Sequence, residues 1–468
     1  MKKYSIALLA AIIAGCGGGG GSGPAPIATK LASPTVSTPP ACTNPHTDNS
    51  YPHTFNGVYT IPTVKETLPT EVQRSVGFKD YKPMAANHWG VITSNPNACT
   101  GDEYTKVLFK DSLDRLQSLG VDNAWLYIGG HGWTVDPNLN YWVQKPSTLS
   151  YSNEMISFIV TEAKKRNIKV YLAWQFNIVD DNGNFLFQLG ENVDKKLWAT
   201  ILETHHKNIV EVAKFAETIG IAGIASDWNA MNIGNGQDPV LREMYVQKIS
   251  TIIDDIRKVF TGKVTWGQHL HIWHDYRIID KVDALHVSII PRLSNIEMVN
   301  FSSDTVMYAT LNEMRRLYQD YHCIWPSDQT RCSTVRSTRE VPVIFEVAIQ
   351  SRDKYFKDGW IEDGFCISGI TSDGKTTNCV QTSYVTDFSI QAIGIDGVLR
   401  AIKSQTYFKV QSVNFHSSYW HTDTLKPSTG FIQTQFGSKE DSEGFPNLSQ
   451  SIRGKPAEAV VKQWFKRS

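Results

Sequence analysis

The sequence predicts an α/β protein, a (β/α)8 TIM barrel, and three observations carry that prediction. Strand-like apolar runs alternate with helix-like periodicity from about residue 60 onward, with no linker between them. Eight strand–helix pairs can be traced, and most of the strands are apolar throughout, as strands buried on both faces of a parallel sheet are. No Gly-rich phosphate loop follows the first strand, which separates the pattern from an open doubly wound sheet.

The first strand is read at residues 89–93, with a weaker candidate before it at 77–81. A helix follows with Phe109, Leu113, Leu116 and Leu119 on one face, and it stops at Gly120. Strand two is NAWLYIGG, and its helix carries Ile156, Ile159, Val160 and Ala163. Strand three, KVYLAWQFN, leads to a helix with Ile201, Ile209, Val212, Ala216 and Ile219 that stops at Gly220. Strand four, IAGIAS, precedes a helix bearing Val246, Ile249, Ile253, Ile256 and Val259. Strand five is KVTWGQHL, and strand six, ALHVSII, comes after a short helical connection. A long helix near 304–321 precedes strand seven, PVIFEVAIQ, and another near 387–404 precedes strand eight, VQSVNF. The last helix opens at Pro456, a residue suited to a first turn, and carries Val460, Val461 and Trp464.

The N-terminus sets an expected compartment. Lys2 and Lys3 precede a short apolar run, residues 6–14, that ends in small residues, the pattern of a secretory signal. Its end, Ile13-Ala14-Gly15-Cys16, resembles the bacterial lipobox, which implies lipidation at Cys16 and an exported, membrane-anchored protein. Gly17 after the cysteine implies, by the same resemblance, the outer membrane. Residues 17 to about 40 are dominated by Gly, Pro, Ser, Thr and Ala, the composition of a disordered tether, and an N-terminal extension continues to residue 60. A coil of about 25 residues reaches roughly 25–30 Å. The expected division is therefore 1–16 signal and lipid site, 17–60 tether and N-terminal extension, and 61–468 one barrel domain.

Lys and Arg number 46 and so do Asp and Glu, so no charge excess points to nucleic acid. Apart from Cys16, the cysteines are even in number, and an oxidising compartment favours disulfides. The most economical pairing is Cys323 with Cys332, Cys366 with Cys379, and Cys42 with Cys99. A cofactor is not expected, and the protein is taken as a monomer.

A barrel of this kind places its chemistry at the C-terminal ends of the strands. Those positions hold His131 and Trp133 after strand two, and Trp174, Gln175 and Asn177 after strand three. Strand four offers Asp227, Trp228 and Asn229. Strand five offers Trp266, Gln268, His269 and His271. Strand seven offers Glu346 and Gln350, and strand eight His416, Tyr419 and Trp420. Trp133, Trp174, Trp228, Trp266 and Trp420 are candidate platforms for a sugar ring. His131, Asn177, Asn229, His269 and His416 are candidate partners for its hydroxyls. Asp227 and Glu346 stand behind apolar residues, where a dry side raises a carboxyl pKa and suits it to acid–base work. For Asp227 a plainer structural role, a helix cap or a partner for Arg, is also open. Glu346 within VIFEVA is costly to bury unless it faces a polar site. The His269-x-His271 pair admits a zinc reading, although strand one offers only His88 and strand six only His286 as further ligands.

Carboxylates at the ends of strands four and seven are the signature of the clan of retaining glycosidases built on barrels. PVIFEVAIQSRD resembles the nucleophile strand of that clan's β-mannanase-like family, and SIRGKPAEAVVKQWF is similar to its closing segment. The resemblance covers residues 75–468. It implies Glu346 as nucleophile, Asp227 as general acid/base, and a carbohydrate substrate. The clan carries glutamate where this chain has Ser226-Asp227-Trp228-Asn229. Retaining enzymes hold the two carboxyls about 5–5.5 Å apart and inverting ones about 6.5–9.5 Å. The shorter aspartate therefore leaves three outcomes open: retention, inversion, or a module that binds sugar without cutting it.

Overall fold

The computed structural model describes residues 59–79, 101–128, 131–136, 141–144, 151–174, 178–179, 195–225, 239–268, 276–289, 291–321, 323–324, 334–335, 340–358, 386–420 and 450–467. Eight parallel strands close on themselves: β1 Gln73–Lys79, β2 Asn123–Ile128, β3 Lys169–Trp174, β4 Gly223–Ala225, β5 Lys263–Gln268, β6 Ala284–Ile289, β7 Val343–Val347 and β8 Val410–Trp420. Each pairs in parallel with its neighbours in chain order, and β8 closes the ring on β1 through Gln73↔Ser412 to Lys79↔Trp420.

Helices follow the strands: α1 Gly101–Leu119, α2 Asn153–Lys164, α3 Lys195–Ile219, α4 Pro239–Val259, α5 Tyr276–Ile279, α6 Asn295–Val299, α7 Ser303–Tyr321, α8 Tyr355–Asp358, α9 Phe388–Ser404 and α10 Pro456–Trp464. Their ends follow local chemistry. Ser152 caps α2 by accepting from the Met155 amide, and Asp387 caps α9 by accepting from the Ser389 and Ile390 amides. Gly120 and Gly220 stop α1 and α3 at φ +82° and +72°, a conformation that costs glycine no Cβ clash. Among the described residues between β5 and β6, the single turn of α5 packs on the ring through Ile278 and Ile279, both fully buried.

Side chains alternate along each strand between two dry layers. Ala124, Leu126, Ile128, Val170, Leu172, Trp174, Ile224, Val264, Trp266, Leu285, Val287, Phe345, Val413 and Phe415 join the helices in one continuous core. Trp125, Tyr127, Tyr171, Ala173, Ala225, Ala284 and Ile344 form a separate cluster, the barrel interior. Gly223 makes room there: a Cβ would sit 2.6 Å from the Tyr171 ring.

The first strand departs from the sequence expectation. It is Gln73–Lys79, overlapping the weaker candidate, and residues 89–93 lie outside the described residues. Apolar runs miss it because its interior positions are Ser75 and Gly77 and because Arg74 stands beside Val76 on its helix side. Strand eight is also longer than expected, so His416, Tyr419 and Trp420 belong to the strand itself. Residues 1–58, including Cys16, lie outside the described residues, as do Cys99, Cys332, Cys366 and Cys379. Cys323 stands in a two-residue hairpin strand, Cys323–Ile324, paired with Thr334–Val335, and no disulfide occurs among the described residues. Among them also, no helix is long and apolar enough to cross a membrane.

Two termini brace the ring. An extended strap, residues 59–68, runs down the outside of α9. It is fixed at one end by the Thr60 amide on Ser389 Oγ and at the other by Glu66 on Lys403 Nζ and the Leu68 amide on the Trp464 carbonyl. At about 3.4 Å per residue, Thr60 to Glu66 covers roughly 20 Å, the rise of α9 from Ser389 to Lys403. The strap thus begins at the C-terminal face of the barrel and delivers the chain to its N-terminal face, where β1 starts. There Arg74, fully buried, donates to the carbonyls of Phe465 (2.9 Å), Val72 (2.8 Å) and Leu68 (3.2 Å) and locks strap, strand and final helix together. Replacing Arg74 with Met keeps the apolar stem and strands three buried carbonyls. The expected result is a loss of about 3 kcal/mol, read as a lower urea midpoint at unchanged far-UV spectrum; an unchanged midpoint would show that the clasp contributes nothing.

Candidate active site

Glu346 lies one residue from the C-terminal end of β7, at an interior position of the strand. It is 2% exposed. Asn414 on β8 faces it across the ladder, and Asn414 Nδ2 donates to Glu346 Oε2 at 2.7 Å. On the other side, Glu346 Oε1 lies 2.6 Å from His286 Nδ1 of β6, and His286 Nε2 lies 2.8 Å from the Thr265 hydroxyl of β5. Four consecutive strands therefore supply one chain of hydrogen bonds, Thr265–His286–Glu346–Asn414, through the barrel interior. Trp125 closes over it, meeting the His286 ring edge-on at 4.6 Å and the Tyr171 ring at 4.7 Å.

The interior is dry, and its electrostatics follow from that. Burial pushes His286 down to about 3 and lifts Glu346 well above the ordinary carboxyl range, with the Asn414 hydrogen bond opposing the second shift. Tyr171, also in the interior, is pushed up to about 12 by burial. Burial drives both members of the pair toward their uncharged forms across the 2.6 Å contact.

The strand end is held rigidly from outside the ring. After Val347 the chain stays buried through Arg352. Gln391 on α9 donates to the carbonyls of Ile349 (2.8 Å) and Gln450 (3.1 Å), and Lys455 Nζ reaches Ser351 Oγ at 2.8 Å. Gln350, a strand-end candidate, accepts from Arg352 Nε at 3.2 Å and serves this brace. The closing segment singled out in the sequence, residues 451–465, joins α9 in fixing the end of the strand that carries Glu346.

Two candidates are corrected by their parity. Trp174 and Trp266, 1% and 2% exposed, point into the helix layer, away from the interior. Trp174 meets His205 of α3 edge-on at 5.9 Å, and Trp266 Nε1 donates to the Tyr245 hydroxyl of α4 at 3.1 Å. Neither presents a ring face to a ligand. Both occupy the parity opposite to Ala173 and Thr265, which line the interior.

Asp227, Trp228, Asn229, Asn177, Gln175, His269 and His271 lie outside the described residues, as do the side chains of His131, Trp133, Gln268, His416, Tyr419 and Trp420. The backbone places His131 and Trp133 in a strand, His131–Asp136, between Tyr141–Gln144 and Ile178–Val179. This three-stranded sheet is built from the segments after β2 and β3, so it stands at the C-terminal face. Among the described residues no group of three or more His, Cys, Asp or Glu is placed to hold a metal.

Sequence reasoning passed over Thr265 and Asn414 and treated His286 only as an isolated histidine on strand six. The signal was present. In ALHVSII, His286 is a polar residue with apolar neighbours at the same parity that places Glu346 inward in VIFEVA.

No protein-family profile and no curated protein matches this sequence. Comparison of folds does find relatives. Two structures of a glycoside hydrolase family 113 β-1,4-mannanase, one of them a complex, align with 86% of this chain and 100% of their own, at 13% identity and a TM-score of 0.52. The family 113 β-mannanase of Alicyclobacillus acidocaldarius aligns over 84% of this chain and 96% of its own, at 14% identity and a TM-score of 0.47. At such identities the likeness is one of fold, a closed eight-stranded parallel barrel.

The buried pair has a consequence for stability. Unfolded, His286 titrates near 6.5 and Glu346 near 4.5. The depressed His286 contributes stability that is complete above 6.5 and is lost as pH falls toward about 3. The raised Glu346 contributes stability that is complete below 4.5 and is lost as pH rises toward its elevated folded value. Between 4.5 and 6.5 the two slopes cancel. Comparing wild type with Glu346→Gln by urea unfolding across pH isolates the second arm. Wild type is expected to lose up to about 1.4 kcal/mol per pH unit relative to the variant above 6.5. Parallel curves there would mean that Glu346 is ionised in the folded protein.

Proposed function

We propose that this protein is an exported, lipid-anchored glycoside hydrolase that cleaves a β-mannan-like poly- or oligosaccharide, with Glu346 as the attacking carboxylate and Asp227 as general acid/base. The observation that carries the reading is the position of Glu346. It is an interior carboxyl next to the C-terminal end of β7 in a closed (β/α)8 barrel, gripped by side chains of β6 and β8 and braced from behind by the closing segment. A carboxyl in such a place is expensive to bury for packing alone. The β-1,4-mannanase fold of the structural neighbours supports the sugar class.

The chemistry follows from the geometry. Positive charge develops at the anomeric carbon as the glycosidic bond breaks, and a carboxylate directly beneath it stabilises that charge. Asn414 Nδ2 orients Oε2, while His286 engages Oε1, so one oxygen is aimed and the other is available for proton exchange. Asn414 Oδ1, buried and without a partner among the described residues, is an acceptor available to a sugar hydroxyl. Lys2, Lys3 and the lipobox-like Ile13–Cys16 support export and anchoring; the strap supports a tether that leaves from the C-terminal face, on the side of the site.

A second reading is favoured by one observation. Glu346 is almost fully enclosed and both of its oxygens are engaged, which also suits a carbohydrate-binding lipoprotein that does not cut. Hydrolysis of β-manno-oligosaccharides and a panel of aryl glycosides separates the two. Turnover is expected in the wild type and should fall by at least about 10⁴-fold in both Glu346→Gln and Asp227→Asn with folding intact. Measurable sugar binding without turnover on any substrate would establish the binding protein instead.

A further inference from the structure

Glu346 poses a chemical problem that its surroundings answer. A carboxyl must be ionised to attack, yet the dry interior favours its protonated form. The carboxyl proton needs somewhere to go at the moment of attack, and bulk water does not reach Oε1. The neighbour at 2.6 Å is His286 Nδ1, and the far side of that ring ends on the Thr265 hydroxyl at 2.8 Å. All three residues are 2% exposed or less. Among the described residues, the titratable groups of the interior besides the pair are Tyr127 and Tyr171 on β2 and β3, and Lys169 and Lys263 open the far, N-terminal ends of β3 and β5. The Trp125 ring packs nearly perpendicular to His286, and its indole N–H is a donor with no lone pair to accept the proton.

We propose that His286 is a positioning residue that stores the proton of Glu346 during the attack, with Thr265 holding the ring in the required tautomer. The step rests on the hydrolase reading, with Glu346 as nucleophile. At rest the proton is on Oε1 and is donated to Nδ1, while Nε2–H donates to the Thr265 hydroxyl. As the glycosidic bond weakens, the proton passes to Nδ1, leaving an imidazolium beside a carboxylate. Oε2 then forms the bond to the anomeric carbon. The bond to the leaving oxygen breaks, its electron pair stays on that oxygen, and the oxygen takes a proton from the Asp227 carboxyl. In the second half, Asp227 takes a proton from water as the water oxygen bonds to the anomeric carbon. The ester bond breaks, its electron pair returns to Glu346, and the carboxylate recovers its proton from His286. One glycosidic bond and one water are consumed, and both residues return to their starting states. Before the attack the pair carries no net charge in either form; once the ester has formed, the charge of the imidazolium is balanced by the carboxylate that Asp227 has become.

Infrared difference spectroscopy of the full-length protein at neutral pH tests the resting state without any substrate. A protonated-carboxyl band that disappears in Glu346→Gln is expected; its absence in the wild type overturns the proposal whatever the activity. The kinetic arm uses His286→Gln and, because that variant can fold poorly, the shape-conserving Thr265→Val. His286→Gln is expected to lower kcat by at least about 100-fold with KM little changed, and to move the acid limb of the pH–rate profile to higher pH. Thr265→Val should move the same limb in the same direction by less. Unaltered limbs in both variants would overturn the proton store while leaving the hydrolase standing. A wild type that turns over no glycoside would sink the hydrolase reading and the attack step with it, and the infrared band would record separately whether the proton is shared.

Discussion

Closing a parallel sheet on itself forces each strand to divide its side chains between a narrow interior and a helix layer, and this parity governs most of what the molecule is. The helix layer takes the branched and aromatic bulk, including Trp174, Trp198 and Trp266. The interior takes whatever fits a ring of fixed width. It is filled by a few large rings, Trp125, Tyr127 and Tyr171, set against small residues such as Ala173, Gly223 and Ala225. Polar groups described in that space bond one another. Ser75 meets Ser412 at 2.6 Å, and Asn123 reaches Gln73 and Ser75, at one level of the interior, while Thr265, His286, Glu346 and Asn414 join at another.

The polar chain around Glu346 is a product of this confinement. A carboxyl and an imidazole on neighbouring strands in water would be an ordinary weak pair. Enclosed together they cannot titrate independently, because adding or removing one proton leaves a net charge where no solvent can answer it. A single proton held across 2.6 Å is the arrangement that satisfies both groups. Rigidity around the pair matters as much as its chemistry. The brace from Gln391 and Lys455 to the end of β7 fixes the strand that carries Glu346, and it is supplied by elements more than 40 residues away in sequence.

The termini complete the ring mechanically. β1 has few apolar residues with which to hold its place, and its position is secured by Arg74 on three carbonyls and by the strap along α9. The same strap explains how an N-terminal segment can depart from the face where the strand ends and their loops stand, although β1 itself begins at the opposite face.

Much of this was legible in the residues. Helical periodicity and the glycines at 120 and 220 marked the helices and their ends, and apolar runs marked seven of the eight strands. A glutamate inside VIFEVA announced an interior polar site, because burial of a carboxyl has a cost that composition alone makes visible. The first strand escaped, since Gln73–Lys79 is held by hydrogen bonds of Arg74 and by its neighbours more than by its own hydropathy. The tryptophans at strand ends were assigned to sugar by position, but one step of parity turns such a ring from the interior to the helix layer, and register is set by pairing between strands distant in sequence. For the same reason His286, Thr265 and Asn414 could not be joined to Glu346 beforehand. The sequence by itself determined the fold class and one carboxyl; only closure of the barrel decided which side chains share its dry interior, because that depends on the register of four strands drawn from residues 263–420.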